Sequence, residues 1–334
     1  MSTILDVAQH ARVSVTTVSH VINETRYVSE ELRQRVLTAV EELGYQPNAL
    51  ARSLRVKRSH TIGMILPDNT NPYFAEIARS IEDASHRHGY STILCNSDDN
   101  PTKEQRYIQV LMEKQVDGII LVSVGAQSAQ NILLRNNSAI IMLDRTDPFL
   151  CCDSVQIDNV QGGWLATRHL LDLGHRRIAC LAGPNTVIPS DGRVQGYEKA
   201  MHETPEAESY IRVMLGDFHA DSGYDLTRTL LSESPESTAI FACNDLMAIG
   251  AMRAIQERGL RVPDDVSVVG FDNIALARFV TPPLTTVAQP KYEMGQLALQ
   301  LLLERIENKE LPNRFPILEC GLVIRASTAQ RKVL

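Results

Sequence analysis

The residues best able to do chemistry in this 334-residue chain fall into two sets. Near the N-terminus they are short hydrogen-bonding side chains on the outward face of one helix-compatible run: Thr16, Thr17, Ser19 and His20, with Val15 beside them. Hydroxyls can donate to or accept from base edges and phosphates. An imidazole can bond acceptors on guanine or adenine, and valine methyls can meet a thymine methyl. Farther along, polar and aromatic side chains stand where apolar runs end: Asn71, Tyr73, Phe74, Asp144, Arg145, Arg193, Phe218, Asn244, Asp272 and Gln289. Flat rings such as Tyr73, Phe74 and Phe218 can wall a cyclic ligand, while Asp272, Arg145 and Arg193 can fork onto hydroxyls or ring nitrogens.

Reaction centres are missing from the pattern. No P-loop, Gly-x-Gly-x-x-Gly or Gly-x-Ser-x-Gly is present, and Asp144 beside Arg145 has neither nucleophile nor metal to work with. The six cysteines lie at 95, 151, 152, 180, 243 and 320. The adjacent pair is not a metal spacing, and four of the six sit in apolar, strand-like runs, as reduced thiols do. Neither a metal nor a cofactor is expected, and an enzyme is not.

Hydrophobic residues make up 44% of the chain and charged residues 22%, values of a soluble globular protein. No apolar run approaches the roughly 18 residues that span a bilayer. The N-terminus lacks the basic and apolar regions of a signal peptide, so a cytoplasmic protein with no membrane partner is expected. The net charge of −7 is unevenly distributed. Residues 1–60 carry eight Lys/Arg against six Asp/Glu, and the remainder is acidic. Arg52, Arg55, Lys57 and Arg58 follow one another with no acidic residue between 48 and 60, which suggests a polyanion partner for that end alone.

Three short helices are predicted to position the first set. Thr3 with Asp6 reads as a capping box before Ile4, Val7, Ala8 and Ala11. Arg12-Val13-Ser14 turns the chain, and Ser14 caps a helix from Val15 to Asn23 with Val18, Val21 and Ile22 inward. Ser29 is expected to cap a third helix with Val36, Val40 and Leu43 inward, which Gly44 stops. The basic run 48–56 has helix-forming residues but too few apolar ones to bury itself in a core.

From His60 onward β-branched runs alternate with amphipathic helices. Strands are predicted at 61–66, 91–95, 118–123, 139–143, 177–182, 239–243 and 266–270. The alternation predicts parallel sheets with helices on both faces, and its repetition predicts two lobes. Ligands of such sheets sit beyond the carboxyl ends of the strands, where two facing lobes would enclose a cleft.

The run Val13-Ser14-Val15-Thr16-Thr17-Val18-Ser19-His20-Val21-Ile22-Asn23 resembles the DNA-binding signature of the LacI/GalR family of repressors. Asn48-Ala49-Leu50-Ala51-Arg52-Ser53-Leu54 resembles that family's hinge helix. The similarity continues through Asn71-Pro72-Tyr73-Phe74, Val116-Asp117-Gly118, Asn244-Asp245, Gly270-Phe271-Asp272 and Leu284-Thr285-Thr286, nearly the whole chain. Within the family it is most similar to the ribose and purine repressors.

The resemblance implies an N-terminal all-α helix-turn-helix domain at 1–46 and a hinge helix with linker at 47–59. It implies an α/β two-lobed core like that of periplasmic binding proteins at 60–334, with two parallel, doubly wound sheets. The first lobe is expected at about 60–158 and 288–322, and the second at about 159–287. In the family a leucine pair wedges into the minor groove, which gives Leu54 that role and Arg55 a phosphate or minor-groove contact. Thr3, Ser14, Asn23 and Ala51 are counted with them as DNA-contacting positions. A homodimer on a pseudo-palindromic double-stranded operator follows, with no C-terminal leucine heptad to build a tetramer. The resemblance places effector contacts at most of the second set. Asp144-Arg145 is the sugar-like version, since purine repressors carry Trp at the Arg145 position. Ribose-binding relatives carry an arginine where this chain has Asp191. A pentose, a hexose or a nucleoside stays open as effector. A solute-binding protein of the transport type would suit the core but leaves residues 1–58 without a purpose.

Overall fold

The computed structural model describes residues 2–45, 58–124, 138–145, 152–185 and 187–331. The chain separates into two compact units, 1–60 and 61–334. Ala51, Leu54 and Arg55 of the expected hinge lie outside the described residues.

The first unit holds helices α1 (Ile4–His10), α2 (Val15–Asn23) and α3 (Glu30–Glu42). Thr3 and Asp6 form the reciprocal capping box: the Thr3 amide donates to Asp6 at 2.7 Å, and the Asp6 amide donates to Thr3 Oγ1 at 3.3 Å. These bonds favour the ionised carboxyl and hold Asp6 below its ordinary range. Arg12 turns the chain with φ +51°, and Ser14 Oγ accepts from the Thr17 amide at 3.0 Å. Ser29 stands at the N-cap of α3, but its side chain makes no capping bond, contrary to expectation. Val7, Ala8, Ala11, Val18, Val21, Val36 and Ala39 form the core. Arg35 ties α3 to the end of α1 by donating to the Ala11 carbonyl at 2.6 Å.

The second unit carries two six-stranded sheets. The first contains β1 (Thr61–Leu66), β2 (Ser91–Asn96), β3 (Gly118–Leu121), β4 (Ala139–Leu143), β5 (Asp153–Ile157) and β11 (Ile317–Leu318), ordered β11-β5-β4-β3-β1-β2 and parallel throughout. The second contains β6 (Ile178–Ala182), β7 (Arg212–Leu215), β8 (Ala239–Ala242), β9 (Ser267–Asp272), β10 (Thr285–Ala288) and β12 (Gly321–Val323). Its order is β12-β10-β9-β8-β6-β7, with β12 the one antiparallel strand. β3, β4, β6 and β8 are buried along their length, which is why they read as unbroken apolar runs.

Helices α4 (Pro72–Arg87) and α5 (Pro101–Glu113) accompany the first sheet, with α11 (Lys291–Glu307) packed against α4, β3, β4 and β5. The second sheet has α6 (Asn159–Asp172), α7 (Ile188–His202), the short α8 (Pro205–Glu208), α9 (Ala220–Glu233) and α10 (Asp245–Glu257). The chain passes between sheets three times: from β5 to α6, from β10 to α11, and from β11 to β12. β12 begins at Gly321, so the last return to the second sheet precedes residue 322, where the sequence ended the first lobe. Asp153, fully buried at the head of β5, ion-pairs with Arg305 and Arg314 at 2.9 Å each and accepts from the Arg314 amide at 2.7 Å. These bonds hold the segment after α11 against the first sheet. No helix among the described residues is long and apolar enough to cross a membrane.

Candidate functional site

On the first unit, α2 presents Ser14, Val15 and Thr16 to solvent, with Val15 38% exposed. Thr3 is exposed as well, at the cap of α1, while Thr17, His20 and Asn23 are half-buried. Ser19 departs from expectation: it is 7% exposed rather than outward-facing. Asn23 lies over it one helical turn on, donating to the Ser19 carbonyl at 2.7 Å and to its hydroxyl at 3.3 Å. The amide of Asn23 is therefore engaged within its own helix. His20 pairs through Nδ1 with Thr25 at 2.7 Å. The most outward hydrogen-bonding groups of this face are Ser14 and Thr16.

On the second unit, the strand ends of both sheets meet at a cleft whose empty space, open solvent included, is about 320 Å³. Asn71, Tyr73, Phe74, Asp144 and Arg145 line it from one side; Val187, Pro189, Arg193, Phe218, Asn244 and Asp272 line it from the other. Nine of the ten residues singled out in the sequence are thus brought together. Gln289 is the exception. It lies behind the wall, 5% exposed, donating to Asp272 at 2.8 Å and facing the Tyr73 hydroxyl at 2.9 Å.

Local backbone chemistry sets each lining residue. Asn71 caps α4 by accepting from the Tyr73 amide at 3.0 Å, and Pro72 opens the helix where no amide hydrogen is needed. The Tyr73 and Phe74 rings meet edge to face at 5.0 Å, and the Tyr73 hydroxyl donates to Asp144 at 2.7 Å. Burial and the neighbouring Asp144 and Asp272 push the phenol well above its ordinary value, so it keeps its proton. Asp144, Phe218 and Asp272 have φ of +62°, +71° and +104°. Side chains with a Cβ rarely occupy this region, and such conformations gather at ligand sites. Asn244 caps α10 at Met247 and steadies Phe218 by donating to its carbonyl at 2.8 Å.

The charges of the cleft are held by the protein itself. Arg193, 3% exposed, donates to Asn159 at 2.8 Å and to the Cys243 carbonyl at 2.6 Å. It lies 3.5 Å from Asp272 and stacks 3.8 Å above the Phe271 ring. Its place depends on close packing of α6 on α7: a Cβ on Gly163 would lie 2.1 Å from the Arg193 carbonyl oxygen. Arg145 lies over Phe74 at 5.4 Å and ion-pairs with Asp99 in the turn after β2. Burial pushes the Asp272 carboxyl up to about 6 against the pull of Arg193, Gln289 and Lys291. Behind it Asp245, pushed up to about 8 by burial and by Asp272, accepts from Thr286 at 2.5 Å and from the Ile274 amide at 2.8 Å. Lys291 donates to the carbonyls of Asp272 and Asn273 at 2.6 and 2.7 Å. It also pairs at 3.2 Å with Glu76, which accepts from the Ala275 amide at 3.0 Å and so bridges the lobes.

Val187 and Pro189 were missed in the sequence, although they open the same helix as Arg193. Of the supporting residues, Asp245 stood out in the sequence beside Asn244, while Asp99, Asn159, Glu76 and Lys291 carried no local signal. Among the described residues, no group of three or more His, Cys, Asp or Glu side chains could hold a metal ion. The arrangement suits reversible binding of a small ring with hydrogen-bonding edges between two lobes.

Residues 3–48 match the sequence model of bacterial regulatory proteins of the lacI family. Residues 59–325 match that of periplasmic binding proteins and the sugar-binding domain of the LacI family. The chain is 43% identical over 329 residues to the HTH-type transcriptional repressor PurR of Histophilus somni, covering 98% of this chain and 99% of the relative. It is 42% identical over 333 residues to the repressor of the same name from Pasteurella multocida, covering 99% of this chain and all of the relative. Among solved structures, the lac repressor dimer bound to operator and the anti-inducer ONPF aligns with a TM-score of 0.88 at 32% identity, covering 98% of this chain and 99% of that one. A LacI family transcriptional regulator from Enterococcus faecium with bound ribose aligns at 0.76 and 35% identity, covering 81% of this chain and all of that one.

Proposed function

Because the chain belongs to the LacI family of bacterial regulatory proteins and is a DNA-binding transcriptional repressor of that family, we propose that a small sugar-like ring held in the interlobe cleft governs its grip on operator DNA. Two copies, working in the cytoplasm, read the half-sites of a pseudo-palindromic operator through α2. Ser14, Val15, Thr16, Thr17 and His20 supply base and phosphate contacts, with Thr3, Ser19 and Asn23 framing them. Ala51, Leu54 and Arg55 occupy the minor groove between half-sites.

One observation carries the effector assignment. Asp144 and Arg145 from one lobe face Arg193, Asn244 and Asp272 from the other, between the rings of Phe74 and Phe218. A ligand touching both lobes favours their closed arrangement by the difference of its affinities for the two states, and reciprocally feels whether DNA is bound. The similarity to PurR repressors over almost the full chain favours a second reading, in which a purine base takes the same place.

The test is a mobility shift of full-length protein on an operator selected from genomic DNA, repeated with individual monosaccharides and purines. A ligand that changes operator affinity in the parent but not in Arg193→Gln supports the assignment. Operator binding indifferent to every member of both sets counts against it.

A further inference from the structure

We infer that Asp99 makes the cleft selective for uncharged ligands by neutralising Arg145, so that phosphorylated or carboxylated counterparts are turned away. The inference rests on the reading of the cleft as an effector site and specifies the charge of what that site takes. Two guanidinium groups line the cleft, and a guanidinium without a counter-charge would draw an anion. Each already has a carboxylate beside it. Arg193 gives Nε–H to Asn159 and one Nη1–H to the Cys243 carbonyl, and has the Asp272 carboxylate 3.5 Å away. Arg145, 8% exposed, is bound by Asp99 and lies along the Phe74 ring.

Asp99 is a built partner. It sits in the turn between β2 and α5 with φ +49°, next to Asp98 at +50°. Its amide donates to the Pro67 carbonyl at 3.2 Å, and the Asn100 amide closes the turn on Ser97 at 2.9 Å. This fixed backbone brings a carboxylate to Arg145 from the first lobe's own edge. Lys291 is engaged by Glu76 and two carbonyls behind the wall. Residues 146–151 and 186, which adjoin lining residues in the chain, include no lysine or arginine. Against these matched cations stands Asp144, which accepts from the Tyr73 hydroxyl and faces the cleft. With Asp99 counted, the carboxylates in and against the described lining outnumber its guanidinium groups: Asp99, Asp144 and Asp272 against Arg145 and Arg193. An entering anion would meet repulsion with no unmatched cation in compensation, whereas hydroxyl or N–H donors of a neutral ring find acceptors.

Thermal-shift and calorimetric titrations of the full chain decide the matter. The probes are inorganic phosphate and matched pairs: D-ribose with ribose 5-phosphate, D-glucose with glucuronate, hypoxanthine with inosine monophosphate. The parent is expected to ignore phosphate and to bind no charged member better than its neutral counterpart. Asp99→Asn is expected to gain affinity for phosphate and the charged members by about tenfold or more. Asp99→Glu, which keeps the charge, should behave as the parent, and Asp99→Asn/Arg145→Gln should lose the gain. A parent that prefers a charged member through Arg145, or an Asp99→Asn variant with an unchanged response to anions, overturns the inference. If Asp99→Asn gains anion affinity through Arg145 but no neutral ring binds the parent, the effector reading fails and the charge-matching stands.

Discussion

The ring of Phe218 fills the space that a side chain at residue 183 would need: a Cβ on Gly183 would lie 2.1 Å from Phe218 Cζ. The glycine that directly follows β6 thus allows an aromatic wall with φ +71° to stand at the cleft.

Gly183→Ala should push that ring from its place. The expected cost in folding stability is about 1–3 kcal/mol, as for other overpacked sites. Affinity for whichever monosaccharide or purine binds the parent should fall about tenfold, while operator affinity without ligand is unchanged. Calorimetric titration beside a melting curve checks both. An alanine variant with parental ligand affinity would remove Phe218 from the wall.

Asp245 gives a pH signature. Its folded carboxyl titrates at about 8 against an ordinary 3.8, so the folded protein keeps a proton that the unfolded chain releases. Its unfavourable contribution is absent below about pH 4, grows as pH rises, and is complete above about pH 8. Asp245→Asn retains an acceptor for the Ile274 amide and removes the titration. The variant should gain on the parent by about 1–3 kcal/mol between pH 5 and pH 8, read from urea midpoints. A gap between the two proteins that does not change with pH would contradict this account.

Asp153 has the opposite sign. Its bonds to Arg314 and Arg305 outweigh the cost of burial and hold it below the ordinary carboxylate range. Its contribution is complete above that range and is lost as pH falls through the lowered folded value. Asp153→Asn leaves Arg305 without its counter-charge and Arg314 with Glu304 alone, and should cost about 3–5 kcal/mol at pH 7. The deficit relative to the parent should shrink in acid below pH 4, which denaturant titrations at several pH values would measure.

Much of this architecture was legible in sequence, and the exceptions have physical causes. The seven predicted strands all exist: most are buried and so apolar along their length, while β2 is a partly exposed edge strand that was found by its Thr92-Ile93-Leu94-Cys95 run. β5 escaped notice because it begins with Asp-Ser and carries Gln156; its aspartate is tolerated only because two arginines arrive from residues 305 and 314. β7 lies at a sheet edge with partial exposure and offers a weak pattern. In the cleft, the lining side chains were readable from their positions at strand ends. Their supports were not, since Asp99 reaches Arg145 across 46 residues and Glu76 reaches the Ala275 amide across 199. Ser19 looked outward by helical spacing, but a neighbour one turn away covers it.

The hinge residues rest on sequence and make their own prediction. Leu54→Ala should weaken binding to the selected operator about tenfold or more, leaving random-duplex binding and effector affinity unchanged. Arg55→Gln should lower affinity for all duplexes alike and reduce the salt slope by about one. Fluorescence anisotropy across a salt series separates the two effects. Equal loss on operator and random DNA for Leu54→Ala would argue against the wedge.

Tyr73 carries a single hydroxyl hydrogen and faces two oxygens that can accept it, 2.7 Å away on Asp144 and 2.9 Å away on Gln289. Only one can have it fully. Gln289 donates through its other end to Asp272, so a single phenol on the first lobe joins Asp144 to the carboxylate of the second.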